Sequence, residues 1–106
     1  MVNRFDVFLI NLDTTPSADA KNTRPGVVVS PDEMNRNTGH VLIAPIASTN
    51  ATYPTRVAVD FLNSRRFVIL DQIRAVEKGR LVKKIGAIDG AFQGEVLARL
   101  GEMFAK

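Results

Sequence analysis

The sequence contains no cysteine and no tryptophan, and its 106 residues include one histidine and one tyrosine. Without cysteine, a disulfide framework, a thiolate zinc site and a catalytic thiol are all excluded. The single histidine, His40, directly follows an Asn-rich turn and has no placed partner. We therefore interpret it as a turn or edge-strand residue, not as an acid–base catalyst. No apolar run approaches the length of a signal peptide or a membrane span, so we expect an unprocessed, soluble, cytoplasmic protein.

The charge balance is only mildly basic. Fourteen Lys and Arg residues stand against eleven Asp and Glu residues, for a formal charge of +3. The basic residues concentrate at Arg65-Arg66 and between Lys78 and Lys84. This distribution is compatible with a polyanionic partner and equally with a solvated surface. The length fits one domain covering residues 1–106.

Short runs of β-branched and aromatic residues, separated by polar turn residues, predict a small antiparallel sheet of the meander type. The predicted strands are Phe5–Leu12, Gly26–Ser30, Val41–Ile46, Arg56–Val59, Phe67–Leu70 and Ile73–Glu77. Asn35–Gly39 and Asn63-Ser64 supply turns, whereas Thr14–Thr23 and Ala47–Pro54 read as longer polar loops. Phenylalanines in the strands are expected in the core, because apolar neighbours argue against the exposure that base stacking requires.

A single amphipathic helix is predicted at the C-terminus. Its apolar residues recur at helical spacing: Phe92, Val96, Leu97, Leu100, Met103 and Phe104. Asp89 is the expected N-cap, and Gly94 weakens the pattern. The helix should pack on the sheet as a lid, giving a mainly β fold with a C-terminal helix.

The dipeptide Arg24-Pro25 stands at the entrance to the valine-rich run Gly26–Val29. Proline fixes its own φ and pushes the preceding residue towards extended geometry, so Arg24 should be held at a loop-to-strand junction. A guanidinium fixed there can grip a phosphate through two parallel hydrogen bonds. On this dipeptide alone, an ordinary surface arginine remains the alternative.

Several strings, taken in order along nearly the whole chain, resemble the MazF/PemK toxins of bacterial toxin–antitoxin systems. They are Leu12-Asp13, Thr23–Pro31, Ala44–Ile46, Tyr53-Pro54 and Leu70–Gly86. The resemblance implies an SH3-like small β-barrel of the MazF/PemK/CcdB type and a homodimer. It also implies an antitoxin partner with an acidic disordered segment, and cleavage of single-stranded RNA in a sequence-selective manner with no metal or other cofactor.

The resemblance also assigns site residues. Arg24 matches the family's Arg-Pro motif and suits stabilisation of charge on the reacting phosphate, since an arginine side chain is a poor general base. Asp71 and Arg74 match the Asp-Gln-x-Arg element, which could position RNA, hold Arg24 through an ion pair, or simply form a salt bridge at the barrel rim. RNA-binding or positioning roles are expected for Thr15, Asp19, Lys21, Tyr53, Asp71 and Arg74.

Two departures from the family pattern bear on activity. Ala47 stands where relatives commonly carry a hydroxyl residue, which leaves Ser48 and Thr49 as candidate catalytic substitutes. In an extended chain Ser48 points away from the side of Ala47, whereas Thr49 keeps its parity. In the first loop, Asp13 and Thr15 match the family, but the usual proline and glycine are replaced.

Three functional hypotheses follow. The first is an endoribonuclease toxin, and the second is a member that binds RNA and antitoxin but has lost turnover through Ala47. The third is a CcdB-like DNA gyrase poison, because Pro45–Ser48 is similar to a string in that family. The exposed aromatic tail of such poisons has no counterpart in Met103–Lys106.

Overall fold

The computed structural model describes residues 2–12, 22–48 and 55–105. Within them, seven strands, two α-helices and two 3₁₀ turns, Leu70–Gln72 and Lys78–Arg80, are present. The strands are β1 (Asp6–Asn11), β2 (Thr23–Val28), β3 (His40–Ala47), β4 (Arg56–Phe61), β5 (Ser64–Ile69), β6 (Arg74–Glu77) and β7 (Leu81–Ala87). The helices are α1 (Asp32–Asn37) and α2 (Gly90–Phe104). The predicted class, mainly β with a C-terminal helix, is confirmed.

The strands form one antiparallel sheet in the order β4-β5-β3-β2-β1-β7, and β6 pairs with β3 beside this path. Strand β3 organises the sheet. One of its edges pairs with β2, while the other pairs with β6 near its start and with β5 at its end. The predicted meander is therefore wrong in part, because β7 crosses over to pair with β1.

The remaining differences from the predicted elements are local. Strand β7 was not predicted, and the turn expected at Asn35–Gly39 overlaps the second half of the short helix α1. Strand β2 begins at Thr23, so Arg24 lies inside the strand. In α1, Asn35 is buried and its amide donates to the carbonyl of Ser30, which ties the helix to the end of β2.

The sheet buries a cluster of apolar side chains on each face. The larger cluster packs against α2 and includes Phe5, Val7, Val27, Val59, Phe61 and Val96. The smaller one is Ile10, Val28, Val41, Ile43 and Val76, with Phe8 and Leu12 packed against it. Burial of Phe5 and Phe61 agrees with the expectation that strand phenylalanines belong to the core.

Helix α2 is the predicted lid. The Asp89 side chain caps its first turn by accepting a hydrogen bond from the Ala91 amide at 2.9 Å. Val96 is fully buried, and Phe92, Leu100 and Met103 pack against the sheet. Leu97 and Phe104, which were expected to share this apolar face, are instead exposed. Among the described residues, no helix is both long and apolar enough to cross a bilayer.

Candidate functional site

A groove of about 330 Å³ opens on the sheet face that carries the smaller apolar cluster. Its walls come from β1, β2, β3, the end of β5 and the start of β6. The apolar lining includes Ile10, Leu12, Ile43, Pro45, Ile46 and Ile69. Three polar side chains, Arg24, Gln72 and Arg74, share the same groove. The arrangement combines an apolar floor with two cations, which suits a ligand that has both an apolar ring and a negative charge.

Gly26 keeps the floor of the groove open. It lies in β2 opposite Pro45 of β3. A Cβ atom added there would sit 3.1 Å from Cγ1 of Ile10 and 3.4 Å from Cδ1 of Ile43, both of which line the groove. Any larger side chain would therefore have to occupy the groove or push its walls apart.

Arg24 is the second residue of β2, where it faces Ile10 of β1. Pro25 follows it in the strand, so the extended geometry predicted for Arg24 is observed. Its side chain is exposed, and its Nη1 donates to the Thr23 carbonyl at 3.1 Å. In residues 2–12, 22–48 and 55–105, no carboxylate forms an ion pair with Arg24. Among the described residues, the Thr23 carbonyl is therefore the one acceptor for its five N–H donors, and the guanidinium lines the groove.

Arg74 reaches the groove from the other side of β3. It is the first residue of β6, directly opposite Ile43 of β3, and its side chain is exposed. Within the described part of the chain, its guanidinium has no hydrogen-bond or ion-pair partner. The sequence motif named Arg74 as a site residue, and the structure places it on the same groove as Arg24, which the motif did not indicate.

Gln72 also lines the groove, and we did not predict it as a site residue. The signal that could have found it is its place inside the Asp-Gln-x-Arg element, between two residues that we did name, Asp71 and Arg74. The chain forms a 3₁₀ turn over Leu70–Gln72, so the alternation of side chains along a strand does not apply to it. The amide of Gln72 offers both a donor and an acceptor, which can read the edge of a nucleobase.

Asp71 lies outside the groove. Its Oδ1 accepts hydrogen bonds from Thr55 Oγ1 at 3.0 Å and from Arg56 Nε at 3.5 Å. Partial desolvation acts to raise the pKa of Asp71, but the hydrogen bonds from Thr55, its own backbone and Arg56, with the Arg56 charge, hold it below its usual value. Of the three roles considered for Asp71, the geometry matches the salt bridge at the barrel rim. The alternative ion pair with Arg24 does not form.

The residues around the end of β3 differ in their access to the groove. Ala47 lines it, whereas Ser48 is exposed just beyond the strand and is not part of the lining. Ser48 therefore lies away from the side on which Ala47 lines the groove, as alternation along an extended chain predicts. The other proposed site residues, Thr15, Asp19, Lys21, Thr49 and Tyr53, lie outside the described residues.

His40 is the first residue of β3 and pairs with Glu77 of β6. It does not line the groove, whose first β3 residue is Ile43, three positions further along. It is exposed, as expected for a turn or edge position. In the part of the chain that the structure describes, no three His, Cys, Asp or Glu side chains are grouped so that they could hold a metal ion.

Comparison with known proteins identifies a consistent set of relatives. A family model for "PemK-like, MazF-like toxin of type II toxin-antitoxin system" matches residues 3–104. The Endoribonuclease MazF of Staphylococcus epidermidis is 30% identical over 91 residues, which cover 80% of this chain and 76% of that protein.

Solved structures show the same fold. A mycobacterial endoribonuclease in complex with its cognate antitoxin superposes with a TM-score of 0.81 at 23% identity, covering 96% of this chain and 93% of that chain. MazF from a MazE-MazF complex of Deinococcus radiodurans superposes with a TM-score of 0.77 at 22% identity, covering 98% and 95%. The MazF-like β fold expected from the sequence is thereby confirmed.

Proposed function

The chain belongs to the PemK-like, MazF-like toxins of type II toxin–antitoxin systems, and on that premise we propose that it is an endoribonuclease that cleaves single-stranded RNA without a metal ion. The name of the Staphylococcus epidermidis relative supports the ribonuclease assignment. The observation that carries the proposal is the placement of two guanidinium groups, Arg24 and Arg74, on one groove, with no carboxylate paired to either among the described residues.

The proposed chemistry uses the RNA's own 2′-hydroxyl as the nucleophile. Its oxygen attacks the adjacent phosphorus while the bond from phosphorus to the 5′-oxygen breaks. The 2′-hydroxyl loses a proton, the departing 5′-oxygen gains one, and the products are a 2′,3′-cyclic phosphate and a 5′-hydroxyl. DNA lacks the nucleophile, so it would bind without being cut.

The groove supplies the electrostatic part of this reaction. As the phosphate passes through a five-coordinate state, its equatorial oxygens become more negative. A guanidinium already held in place beside them stabilises that charge without reorganising at the moment of reaction. Arg24, in a strand and followed by proline, is the better fixed of the two cations, and Arg74 on the far wall of the groove would bind the same or the neighbouring phosphate.

The groove has fewer groups suited to proton transfer than to charge stabilisation. The described residues that line the groove include no His, Cys, Asp, Glu or Lys side chain, and arginine is a poor general base. Ala47 contributes no hydroxyl, and Ser48 lies outside the lining. We therefore propose that water carries the protons, with Thr49 as the candidate hydroxyl group, and that turnover is slow.

Ala47 also favours a second candidate function, in which the chain binds RNA and antitoxin but does not turn over. The two candidates share the same groove and differ only in product. Retained RNA binding with no cyclic phosphate would select the second.

The same groove also suits binding of an antitoxin. The mycobacterial and Deinococcus radiodurans neighbours were solved with an antitoxin. An apolar floor flanked by Arg24 and Arg74 complements a peptide that alternates acidic and apolar residues, and we propose such a segment as the antitoxin contact. We further propose that the chain acts as a homodimer.

The test is cleavage of end-labelled single-stranded RNA in the presence of EDTA, with the all-2′-deoxy oligonucleotide beside it. The proposal predicts cuts in RNA only, carrying a 2′,3′-cyclic phosphate and a 5′-hydroxyl. Arg65→Gln serves as the charge-matched control for substitution of a groove arginine, because Arg65 is exposed and does not line the groove. Cleavage of the deoxy strand, or cleavage that requires a divalent ion, would contradict the proposed chemistry.

A further inference from the structure

Arg80 reaches across the fold to the end of β1. Its Nη1 donates to the Asn11 carbonyl at 3.1 Å, although the two residues are 69 positions apart in sequence. Arg80 ends a single 3₁₀ turn, Lys78–Arg80, immediately before β7. The backbone amide of Lys78 donates to the Gly39 carbonyl at 2.9 Å, so the turn is anchored where β3 begins. The guanidinium is therefore presented from a fixed position.

The contact continues a ladder of hydrogen bonds that would otherwise stop. Strands β1 and β7 pair up to Ile10 opposite Leu81, after a register shift between Leu9 and Ile10. Asn11, the last residue of β1, lies beyond this final pair and is fully buried. The Arg80 side chain thus takes the place that the next backbone donor of β7 would occupy, and β1 remains fastened for one more residue.

That extra residue is the one next to the groove. Asn11 pairs with Thr23 of β2, and the Thr23 carbonyl accepts the hydrogen bond from Arg24 Nη1. Leu12, whose side chain lines the groove, donates its amide to the Asn22 carbonyl at 2.8 Å. A displacement of the end of β1 would therefore move the backbone that carries the Arg24 guanidinium.

We propose that Arg80 is a positioning residue for the reaction: it holds the end of β1, and through the Asn11–Thr23 pair it fixes the guanidinium of Arg24. This inference rests on the proposed ribonuclease function. This positioning role differs from that of an RNA-binding cation, which would contact phosphate directly. It also differs from that of a residue whose hydrogen bond only stabilises the fold. Small errors in the placement of a catalytic group reduce rates by up to about 100-fold, which sets the scale of the expected effect.

The experiment compares the full-length protein with Arg80→Ala and Arg80→Lys in single-turnover cleavage of one defined RNA. We expect the Arg80→Ala rate constant to fall about 10- to 100-fold with little change in KM, and Arg80→Lys to recover part of the loss. Combined with Arg24→Ala, the Arg80→Ala change should slow cleavage by no more than about twofold further, because a positioning residue has nothing left to position. Arg65→Gln should behave as the wild type.

A second readout does not depend on activity. Hydrogen exchange at the Leu12 amide should become at least about tenfold faster in Arg80→Ala, while amides in α2 stay protected. Unchanged exchange at Leu12 would overturn the inference, whether or not the wild type cleaves RNA. Absence of RNA cleavage by the wild type would instead contradict the proposed function.

Two kinetic outcomes would also overturn it. A direct phosphate contact would raise KM, weaken binding of an uncleavable 2′-deoxy analogue and reduce the salt slope of that binding by about 0.7. A purely structural role would give an effect on rate that adds fully to that of Arg24→Ala.

Discussion

Substitution of Gly86 by alanine should destabilise the fold strongly, although only one methyl group is added. Gly86 lies in β7 opposite Val7 of β1, with a φ of 156°, which is a backbone conformation that L side chains rarely adopt. A Cβ atom there would sit 2.8 Å from Cε1 and 3.0 Å from Cζ of Phe61. The Phe61 ring is only 7% exposed and belongs to the larger apolar cluster, so it has little room to withdraw.

The expected cost combines three contributions. Holding a non-glycine residue in an unfavourable backbone region costs roughly 1–3 kcal/mol. Forcing a methyl group against a packed ring adds about 1–3 kcal/mol. The reduced flexibility of the unfolded chain offsets this by about 0.4–1 kcal/mol. The net loss in the free energy of unfolding is about 3 kcal/mol, which for a chain of this size lowers the melting temperature by about 12 °C.

Urea denaturation followed by circular dichroism measures this loss directly. Gly94→Ala is the matched control, since Gly94 lies in α2 with no atom within 4 Å of an added Cβ. That substitution should stabilise the protein by about 1 kcal/mol, because alanine is the better helix former. If Gly86→Ala left the unfolding midpoint unchanged or raised it, the packing described around Phe61 would be wrong.

Two further substitutions test the surroundings of the groove. Ala47→Thr adds a hydroxyl inside the groove and should raise the single-turnover cleavage rate about tenfold or more, whereas an equal or lower rate would show that a hydroxyl at this position does not assist the reaction. Asp71→Asn removes the salt bridge to Arg56, which at this exposure is worth at most about 1 kcal/mol. Because the folded-state pKa of Asp71 is lowered, its contribution is present above the unfolded pKa near 4 and is lost as the pH falls through the folded value. Unfolding measured from pH 7 down to pH 2.5 should therefore show the wild type and Asp71→Asn converging at the acid end, and a constant difference would refute the role of this ion pair.

The local elements of the fold were largely predictable, because they depend on residues close together in sequence. Short runs of β-branched and aromatic residues identified β1, β2, β3 and the β4–β5 hairpin, and Asp89 identified the start of α2. Strand β7 was missed because the charged pair Lys83-Lys84 and Gly86 obscure its pattern, as is common for strands at a sheet edge. Its pairing with β1 depends on contacts between distant parts of the chain, which no local pattern records.

In the candidate site, too, the individual residues were predictable from local motifs, whereas their arrangement was not. The motifs identified Arg24 and Arg74, but their presence on one groove follows from the pairing of β2 and β6 with opposite edges of β3. Motif matching grouped Asp71 with Arg74, whereas the 3₁₀ turn before β6 directs Asp71 to Arg56 at the rim. The hydrogen bond from Arg80 to Asn11 had no sequence signal, because the two residues are far apart in sequence and the acceptor is a backbone carbonyl.

The central claim is that Arg24 stabilises negative charge on the reacting phosphate. The most direct measurement is the single-turnover cleavage rate of Arg24→Ala at saturating RNA with EDTA present, with thermal unfolding recorded on the same samples. Because Arg24 is exposed, the account predicts an unfolding midpoint within a few degrees of the wild type, but a rate lower by about 100- to 1,000-fold. A rate within a few-fold of the wild type, measured on folded protein that binds RNA, would contradict it.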